Sequence, residues 1–453
     1  MSNLIQRDKY LQKLYAYRDF NLIKVIVGLR RSGKSTLLKN LFYFKLINEG
    51  VKKENIIYFS FFSSSSKLGS KAYTSKRKIK NDAFEKYLDK EINEIKNNDK
   101  IFIFLDEIQE LENFHSTLEK YVGNSRYSVY VTGSNSNLLV DNVPKKFGGR
   151  AKVIKVYPLT FSEWVSNKKD FEKNKEKYLG EYLAYGGLPE LTNVQNDSND
   201  YSHEEIKKDY LVQLLHTTYI KDLFNIYRLD EEEKEQCLLF LKFLAQTAGK
   251  DFNYNSLQKA YNEKIKTKLI TRSRLQNYLN YFEQAYLIKR VYRHGLKGKK
   301  LLDERKSPFK IYFEDNGLMN AINDFQFSSN GGTFENTVFN QLRFVYNSVS
   351  FDKIGSDNIA EENKLEVDFV VNNIGYFQVS WFLHSDEKLF NETKVFNEIN
   401  TIWKKILITN RISEKVSIYK SESYQLIDIF PFLMKTEEVV GKDNHDFAER
   451  FLK

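Results

Sequence analysis

The segment VIVGLRRSGKSTLLKNLF, residues 25–42, decides the fold that this chain is expected to adopt. Apolar and mostly β-branched residues lead into Gly28, as in a strand that is covered on both faces. Gly33, Lys34 and Ser35 follow, and the residues after them are typical of a helix. The spacing GxxxxGK[ST] is that of a phosphate-binding loop between a strand and a helix. The segment therefore predicts an α/β domain with such a loop.

Each residue type in this loop has a physical task. Glycines let the backbone curl so that successive N–H groups point at phosphate oxygens, and the start of the helix adds its positive dipole end. Lys34 places a positive charge near the β and γ phosphates, and Ser35 offers its hydroxyl to Mg²⁺. We therefore expect ATP and Mg²⁺ as cofactors. The expected nucleotide contacts are Gly28, Arg30, Arg31, Ser32, Gly33, Lys34, Ser35 and Thr36.

A second apolar run, residues 101–105, ends directly in Asp106 and Glu107. In open α/β folds the carboxyl edge of the sheet is where ligands bind, and a buried parallel strand places both acids there. Asp106 is expected to hold Mg²⁺ through water, together with Ser35. Glu107 is expected to orient and polarise the attacking water. The alternative is a strand that ends in a solvated acidic turn.

Composition bounds the partners without choosing among them. The 453 residues include 70 Lys and Arg against 60 Asp and Glu, a net charge of +10, which permits nucleic-acid binding but does not demonstrate it. One cysteine excludes an intrachain disulfide, and with six histidines it gives no zinc motif. The chain shows no signal-like N-terminus and no apolar run of about 18 residues. We expect a cytoplasmic protein without a membrane partner.

The motifs VGLRRSGKST, FLDEIQE, VTGSNS, GR, VYPLTFSEW and YGGLPE follow one another along the chain. In this order they resemble a large family of prokaryotic AAA-type P-loop ATPases whose C-terminal domain, of unknown function, is related to restriction-endonuclease folds. The resemblance covers about residues 5–430. It implies an ATPase core over residues 1–160 and a helical lid over residues 161–230.

Three further residues of the core are candidates for catalysis. AAA-type ATPases keep a polar residue that senses the γ-phosphate at the end of the third strand, and Ser134 and Asn135 match that place. An ordinary turn is the alternative, because Gly, Ser and Asn are turn formers. Arg150 is expected to stabilise charge on the transferring phosphoryl group, either in its own chain or in a neighbouring subunit of a homo-oligomer. A solvated loop arginine is the alternative.

Residues 231–298 predict a winged-helix-like domain, with two short helices, a longer helix and an apolar strand. The longer helix should begin after Thr271 as N-cap and carry Arg272 and Arg274 in its first turn, where a recognition helix meets DNA. A basic segment that includes Lys297, Lys299 and Lys300 would suit phosphate contacts. A packing or protein-docking module is the alternative.

Residues 299–453 predict an α/β domain similar to restriction nucleases, which place an acid on one strand and Glu-x-Lys on the next. Glu335 and Asp368 match two acidic positions, but Gln378 and Ser380 stand where Glu-x-Lys would be needed. Glutamine binds a hard cation weakly compared with a carboxylate, and serine supplies no positive charge. Glu366 lies on the wrong strand to substitute. The sequence therefore predicts a nuclease-like fold with a degenerate site and without nuclease activity.

Two functions from different classes remain open. The first is an ATP-hydrolysing, nucleotide-driven switch that acts on DNA or on a DNA-bound partner. The second is an ATP-gated regulatory or scaffold protein that has a protein partner and no role on DNA. DNA-stimulated hydrolysis would distinguish the first from the second.

Overall fold

The computed structural model describes residues 4–63, 68, 72–74, 78–134, 146–194, 202–295, 307–326, 330–355, 364–416 and 423–441. The chain divides into two compact units, Met1–Pro158 with Gln284–Tyr286, and Leu159–Glu283 with Leu287–Lys453. Helices and sheets are present in both units, and the first unit contains a parallel sheet. The predicted α/β class is therefore confirmed.

The first unit is built on a parallel sheet with the order β2-β3-β4-β1-β5. Its strands are β1 (Ile23–Val27), β2 (Ile56–Ser60), β3 (Ile101–Asp106), β4 (Tyr127–Gly133) and β5 (Ala151–Lys155). β1 and β3 are buried along their whole length, as parallel strands covered on both faces are. The strands predicted before Gly28 and Asp106 are confirmed.

Parallel pairing brings the carboxyl ends of β1, β3 and β4 to one edge of the sheet. Val27 pairs with Gly133, and Leu105 pairs with Val131, so the three strands end almost level. Gly28 directly follows β1, Asp106 is the last residue of β3, and Ser134 directly follows β4. Three motifs far apart in the sequence thus meet at one place.

Helices of the first unit are α1 (Asp8–Ala16), α2 (Lys34–Thr36), α3 (Tyr43–Asn48), α4 (Asn81–Glu94) and α5 (Phe114–Glu119). A π-helical stretch, Leu37–Phe42, joins α2 to α3, and 3₁₀ turns cover Lys53–Asn55 and Ile108–Glu110. The ring centroid of Phe42 lies 5.6 Å from that of Phe104 and 5.0 Å from that of Tyr130. These aromatic contacts pack the helix after the loop onto β3 and β4.

The second unit begins with helices, as predicted for residues 161–230: α6 (Phe161–Val165), α7 (Lys175–Tyr185), α8 (His203–Leu214) and α9 (Lys221–Tyr227), with 3₁₀ turns at Phe171–Lys173 and Pro189–Asn193 and a π-helical stretch at Leu215–Ile220. The YGGLPE turn after α7 needs its glycines. Gly186 has φ of +74°, and a Cβ there would lie 2.3 Å from Asp315 Oδ1. Gly187 N donates to Asp315 Oδ2 at 2.8 Å, and Leu318 N donates to Asp315 Oδ1 at 3.1 Å. One buried carboxylate thus ties this turn to the start of a later helix, and burial raises the pKa of Asp315 to about 6.

The middle of the second unit contains α10 (Glu231–Gln246), α11 (Tyr254–Lys264), α12 (Arg272–Gln284) and an antiparallel sheet with the order β6-β8-β7. Its strands are β6 (Asp251–Phe252), β7 (Ile288–Tyr292) and β8 (Phe309–Phe313). β8 follows the boundary that we predict at residue 298, and it pairs with β7 before it. The helices and the apolar strand predicted here are confirmed; that they form a winged helix stays a prediction.

The last part contains α13 (Asn316–Ile322), α14 (Asn330–Tyr346), α15 (Asp386–Asn397) and α16 (Ile429–Gly441). They accompany a mixed sheet with the order β13-β12-β11-β10-β9. Its strands are β9 (Ser350–Ile354), β10 (Leu365–Val371), β11 (Gly375–Leu383), β12 (Lys404–Ile412) and β13 (Gln425–Asp428). β10 and β11 form the predicted hairpin, paired antiparallel from Phe369 and Phe377 to the turn. That this part has a nuclease-like fold stays a prediction. No helix in the described ranges is long and apolar enough to cross a membrane.

Candidate functional site

The loop after β1 has a shape that only glycine permits at its first position. Gly28 has φ of +141°, and a Cβ there would lie 2.1 Å from the carbonyl oxygen of Val156. Gly33 has φ of +92° and caps α2, so the helix begins directly at Lys34. Arg31 also adopts a positive φ, 61°, with an exposed side chain. The backbone is therefore curled as a phosphate-binding loop requires.

A buried arginine that the sequence analysis missed anchors this loop. Arg7 precedes α1, and its guanidinium is buried. Its Nη1 donates to the carbonyl oxygen of Ser32 at 3.2 Å, and its Nη2 donates to that of Tyr157 at 2.8 Å. Tyr157 N in turn donates to the hydroxyl of Tyr10 at 3.0 Å. No local motif marks Arg7, because its partners lie 25 and 150 residues away.

Lys34 is held by its own loop. Its side chain is buried, and Nζ donates to the carbonyl oxygens of Gly28 at 3.0 Å and Leu29 at 2.9 Å. Burial lowers the pKa of Lys34 to about 8, although Glu107 and Asp106 act in the opposite direction. Two neutral carbonyls stabilise an ammonium less than phosphate oxygens would. The geometry therefore favours an anionic ligand at this amine.

The Asp106 carboxylate accepts hydrogen bonds from three hydroxyl groups. Ser35 Oγ donates to Oδ1 at 2.8 Å and Thr132 Oγ1 donates to Oδ1 at 2.6 Å, while the Tyr58 hydroxyl donates to Oδ2 at 3.1 Å. Burial and the Asp106 charge raise the pKa of Tyr58, so its hydroxyl stays a donor. Serine hydroxyl and carboxylate are hard oxygen ligands that Mg²⁺ accepts. Ser35 and Asp106, the predicted metal pair, thus fit the ion; Thr132 and Tyr58 were missed as partners.

Glu107 lies beside this group with its carboxylate held by polar side chains. Its φ is +59°, and its N–H donates to Thr132 Oγ1 at 3.0 Å. Ser134 Oγ donates to Glu107 Oε2 at 3.3 Å, and Gln109 Nε2 donates to the same oxygen. Arg30 Nε donates to Ser134 Oγ at 3.2 Å. The structure thus joins the predicted Arg30, Glu107 and Ser134, and adds Gln109.

Two further residues predicted to contact the nucleotide, Ser32 and Thr36, make no contact with this network among the described residues. Asn135 is outside the described residues. Thr36 is exposed in the first turn of α2, and the buried Ser32 hydroxyl has no hydrogen-bond partner among the described atoms.

Arg150 lies at the opposite edge of the sheet, because its carbonyl accepts from Ile23 N at the start of β1. Its exposed side chain lies near Gly123, before β4. Four residues of strand span about 13 Å, so Arg150 does not reach the loop of its own chain. This corrects the expectation of a role in cis, and the role between subunits stays a prediction.

The arginines predicted to contact DNA are engaged by neighbours within the second unit. Arg272 Nη1 donates to Asn255 Oδ1 at 3.0 Å. Arg274 lies 3.5 Å from a carboxylate oxygen of Glu232 and 4.0 Å from one of Glu233. Thr271 Oγ1 accepts from Arg274 N at 3.3 Å, as predicted for an N-cap. Lys297, Lys299 and Lys300 lie outside the described residues.

The predicted degenerate nuclease site does come together, with different roles for its members. Asp368 N donates to Gln378 Oε1 at 2.9 Å, and Gln378 Nε2 donates to the Glu366 carbonyl at 3.2 Å. The Gln378 amide thus replaces ladder hydrogen bonds between β10 and β11. Asp368 Oδ2 accepts from Val379 N at 2.8 Å, and Ser380 is buried on β11.

A lysine that the sequence analysis missed completes this cluster. Lys310 of β8 lies 3.3 Å from Glu335 Oε1, 2.6 Å from Glu366 Oε1 and 3.7 Å from Asp368 Oδ1. Glu366, which lies on the wrong strand to substitute for the missing acid, contacts the same ammonium as Glu335 and Asp368. Glu335 and Glu366 also line a cleft of about 1030 Å³.

Two protein-family descriptions match parts of this chain. Residues 21–165 match the family described as AAA domain, which covers the loop, Asp106, Glu107 and Ser134. Residues 176–329 match a domain of unknown function, DUF8612. Neither match extends to the predicted nuclease-like domain as a whole.

Related sequences include an uncharacterized protein of Haemophilus influenzae, 28% identical over 94% of this chain and 98% of that protein. The uncharacterized protein MJ1544 of Methanocaldococcus jannaschii is 29% identical over 91% of this chain and 87% of its own length.

Among solved structures, Aeropyrum pernix ORC1 in complex with DNA is 10% identical, with a TM-score of 0.34, over 72% of this chain and 94% of that one. Hsp104 of S. cerevisiae in complex with casein is 16% identical, with a TM-score of 0.31, over 59% of this chain and 50% of that one. Residues 21–165 thus match an AAA domain, and the backbone after β1 has the geometry of a phosphate-binding loop.

Proposed function

We propose that this chain binds ATP with Mg²⁺ and hydrolyses it, and that the hydrolysis drives a switch acting on DNA or on a DNA-bound partner. One observation carries the catalytic part: Ser35, Thr132 and Asp106 share hydrogen bonds, and Glu107 and Ser134 adjoin them. These groups supply a metal ligand pair and a general base at the end of the phosphate-binding loop.

Each residue has a definable role in this reaction. Lys34 exchanges its two carbonyl partners for phosphate oxygens, because charge-assisted hydrogen bonds are stronger than bonds to neutral carbonyls. Ser35 and Asp106 would hold Mg²⁺, which supplies charge neutralisation at the β and γ phosphates. Glu107 accepts hydrogen bonds from Ser134 and Gln109, and on exchanging one of them for water it orients that water for attack. Arg30, through Ser134, links the loop to Glu107.

The action on DNA is supported by the element order of residues 231–292 and by the net charge of +10. A single assay separates it from the alternative. ATP turnover is measured with and without duplex and single-stranded DNA at two salt concentrations. Stimulation that weakens with salt is expected, since phosphate contacts release counterions. Turnover that neither form of DNA changes at either salt concentration would contradict a DNA role while leaving the ATPase assignment intact.

A protein-directed, ATP-gated scaffold is the second candidate, and Arg274 favours it. An arginine that lies against the acids at the start of α10 must give up Glu232 and Glu233 before it can contact a phosphate. This candidate predicts slow hydrolysis that DNA does not change. Arg274→Ala should then leave turnover and any weak DNA association unaltered, whereas a DNA switch should lose affinity.

A homo-oligomer is proposed through Arg150, whose exposed side chain suits action on a neighbouring subunit. Mixing inactive Arg150→Ala chains with inactive Lys34→Ala chains tests it. Recovered turnover in the mixture supports an arginine supplied between subunits. Full activity of Arg150→Ala chains by themselves would show that Arg150 has no role in hydrolysis.

A further inference from the structure

Lys310 is a buried lysine whose ammonium is surrounded by carboxylates. It is the second residue of β8, and its side chain is 1% exposed. Its Nζ contacts Glu335 of α14 and both Glu366 and Asp368 of β10, so three carboxylates from two elements surround one ammonium. Nζ also lies 5.6 Å from the ring centroid of Phe351. The amine is enclosed rather than presented to the cleft.

We propose that the Lys310 ammonium is the resident cation of this carboxylate cluster, in the place where a divalent metal would need to sit. The cluster then takes no Mg²⁺ or Mn²⁺, and the cleft beside it has no metal-dependent chemistry. This inference concerns the second unit and does not depend on the proposed nucleotide function.

The spacing of the carboxylates around Lys310 also supports this assignment. Among the described residues, no group of three or more His, Cys, Asp or Glu side chains is arranged to hold a metal ion. Mg²⁺ needs oxygen ligands at about 2.0–2.1 Å in near-octahedral array. The carboxylate oxygens around Lys310 instead stand 2.6–3.7 Å from its nitrogen. They are spaced as hydrogen-bond acceptors and counter-ions.

The hydrogen bonds of the carboxylates also leave little room for a metal. Glu335 Oε1 accepts from the buried Tyr312 hydroxyl at 2.6 Å, and Asp368 Oδ2 accepts from Val379 N at 2.8 Å. Gln378 adds an amide that satisfies backbone groups of β10 instead of offering an oxygen to the cluster. Gln378, at one of the two positions that depart from Glu-x-Lys, therefore serves the pairing of β10 with β11 and not the binding of a metal.

The charge balance is consistent with a permanently protonated amine. Burial by itself would lower the pKa of Lys310, but the charges of Glu335, Asp368 and Glu366 raise it well above its usual value. Burial and the neighbouring Glu335 charge raise the pKa of Asp368. One ammonium thus faces an excess of acid groups, and the deepest acid tends to keep its proton.

Metal binding by the nucleotide-free chain tests the proposal. All variants carry Asp106→Asn, so that the loop site does not contribute, and free Mn²⁺ is measured by electron paramagnetic resonance. The Lys310→Met chain should bind one Mn²⁺ at least about tenfold more tightly than its parent, since removal of the ammonium leaves the carboxylates uncompensated. Adding Glu335→Gln should abolish the gain. Lys310→Arg and Lys353→Met are matched controls, because the first keeps the cation and the second removes a lysine paired with Asp251 at 3.1 Å outside the cluster.

Each outcome decides the question. Mn²⁺ bound by the parent and lost on Asp368→Asn would overturn the proposal, because the cluster would then hold metal with Lys310 in place. A folded Lys310→Met chain with no gain would overturn it too. If Lys310→Met chains fold only when Mn²⁺ is present, the metal replaces the ammonium and the proposal stands. Chains that stay unfolded in Mn²⁺ contradict it.

Discussion

Asp106 in the first unit and Asp368 in the second are both strand carboxylates, and both adjoin a second acid. They differ in what compensates them. Asp106 accepts from three neutral hydroxyls, of Ser35, Thr132 and Tyr58, which leave its negative charge uncancelled. Asp368 shares the ammonium of Lys310 with two glutamates. A carboxylate held only by hydroxyls has no internal counter-ion from them, whereas Asp368 has the ammonium of Lys310.

Similar acids therefore suggest different chemistry in the two units. Hydroxyl donors can rotate away or become metal ligands themselves, as Ser35 is placed to do. A buried ammonium cannot leave without exposing several uncompensated carboxylates, which costs several kcal/mol. The first arrangement is prepared for a ligand, and the second is complete as it stands.

The largest expected effect is on ATP hydrolysis at the group around Asp106 and Glu107. Glu107→Gln should lower turnover by about 10²–10⁴-fold, because the amide cannot accept a proton from water. ATP should still bind and stay unhydrolysed after gel filtration, since Lys34, Ser35 and Asp106 are unchanged. Glu112→Gln, at an exposed position five residues later, is the control and should turn over normally. Turnover at the parent rate by Glu107→Gln would show that Glu107 is not the general base.

The free energy of unfolding should respond differently to substitutions at Lys310 and at Asp106. Lys310→Met is expected to lower the free energy of unfolding by about 3–5 kcal/mol, because one partner of a buried ionic group is lost. Asp106→Asn should cost only about 1 kcal/mol, since the amide oxygen keeps one acceptor for the hydroxyls. Both values come from urea unfolding without nucleotide or metal. Equal losses of unfolding free energy in the two variants would contradict the view that only Asp368 depends on a buried ammonium.

The pH dependence of nucleotide binding should reflect the titration of the Lys34 amine. In the free protein its pKa is about 8, and bound phosphate charge should raise it, so binding takes up a proton above pH 8. ATP affinity should therefore fall as pH rises through 8, with a limit of about tenfold per pH unit. Calorimetry between pH 7 and 9.5 measures this fall. Lys34→Arg, whose charge does not titrate, should show a flat profile if it binds; a flat profile in the parent would contradict the expectation.

The smallest expected effect is that of Tyr58→Phe, which removes one of the three donors to Asp106. Loss of a group that orients a metal ligand should weaken the apparent Mg²⁺ affinity by about 3–10-fold, towards the lower end of such effects. The Mg²⁺ concentration for half-maximal ATP turnover measures it, and Tyr43→Phe, on the neighbouring α3, is the control. An unchanged Mg²⁺ requirement would show that Ser35 and Thr132 suffice to hold Asp106.

The sequence by itself determined the loop, its strand and helix, and the acidic pair after β3. These features are local, since a strand, a glycine turn and a helix start are each specified by neighbouring residues. It likewise indicated the hairpin with Asp368 and Gln378, because alternation of apolar residues marks a strand. The match of residues 21–165 to an AAA domain agrees with that local information.

Only the tertiary structure decided which distant residues complete each site. Arg7, Tyr58 and Lys310 meet their partners across 25 to 150, 48, and 25 to 58 residues, and no periodicity encodes such a meeting. It also decided that Arg150 lies at the far edge of its sheet, because strand direction, and not sequence order, sets the edge at which a residue stands. Charge compensation is a property of three-dimensional neighbours, so motif spacing identified Glu335 and Asp368 but not the lysine that contacts them.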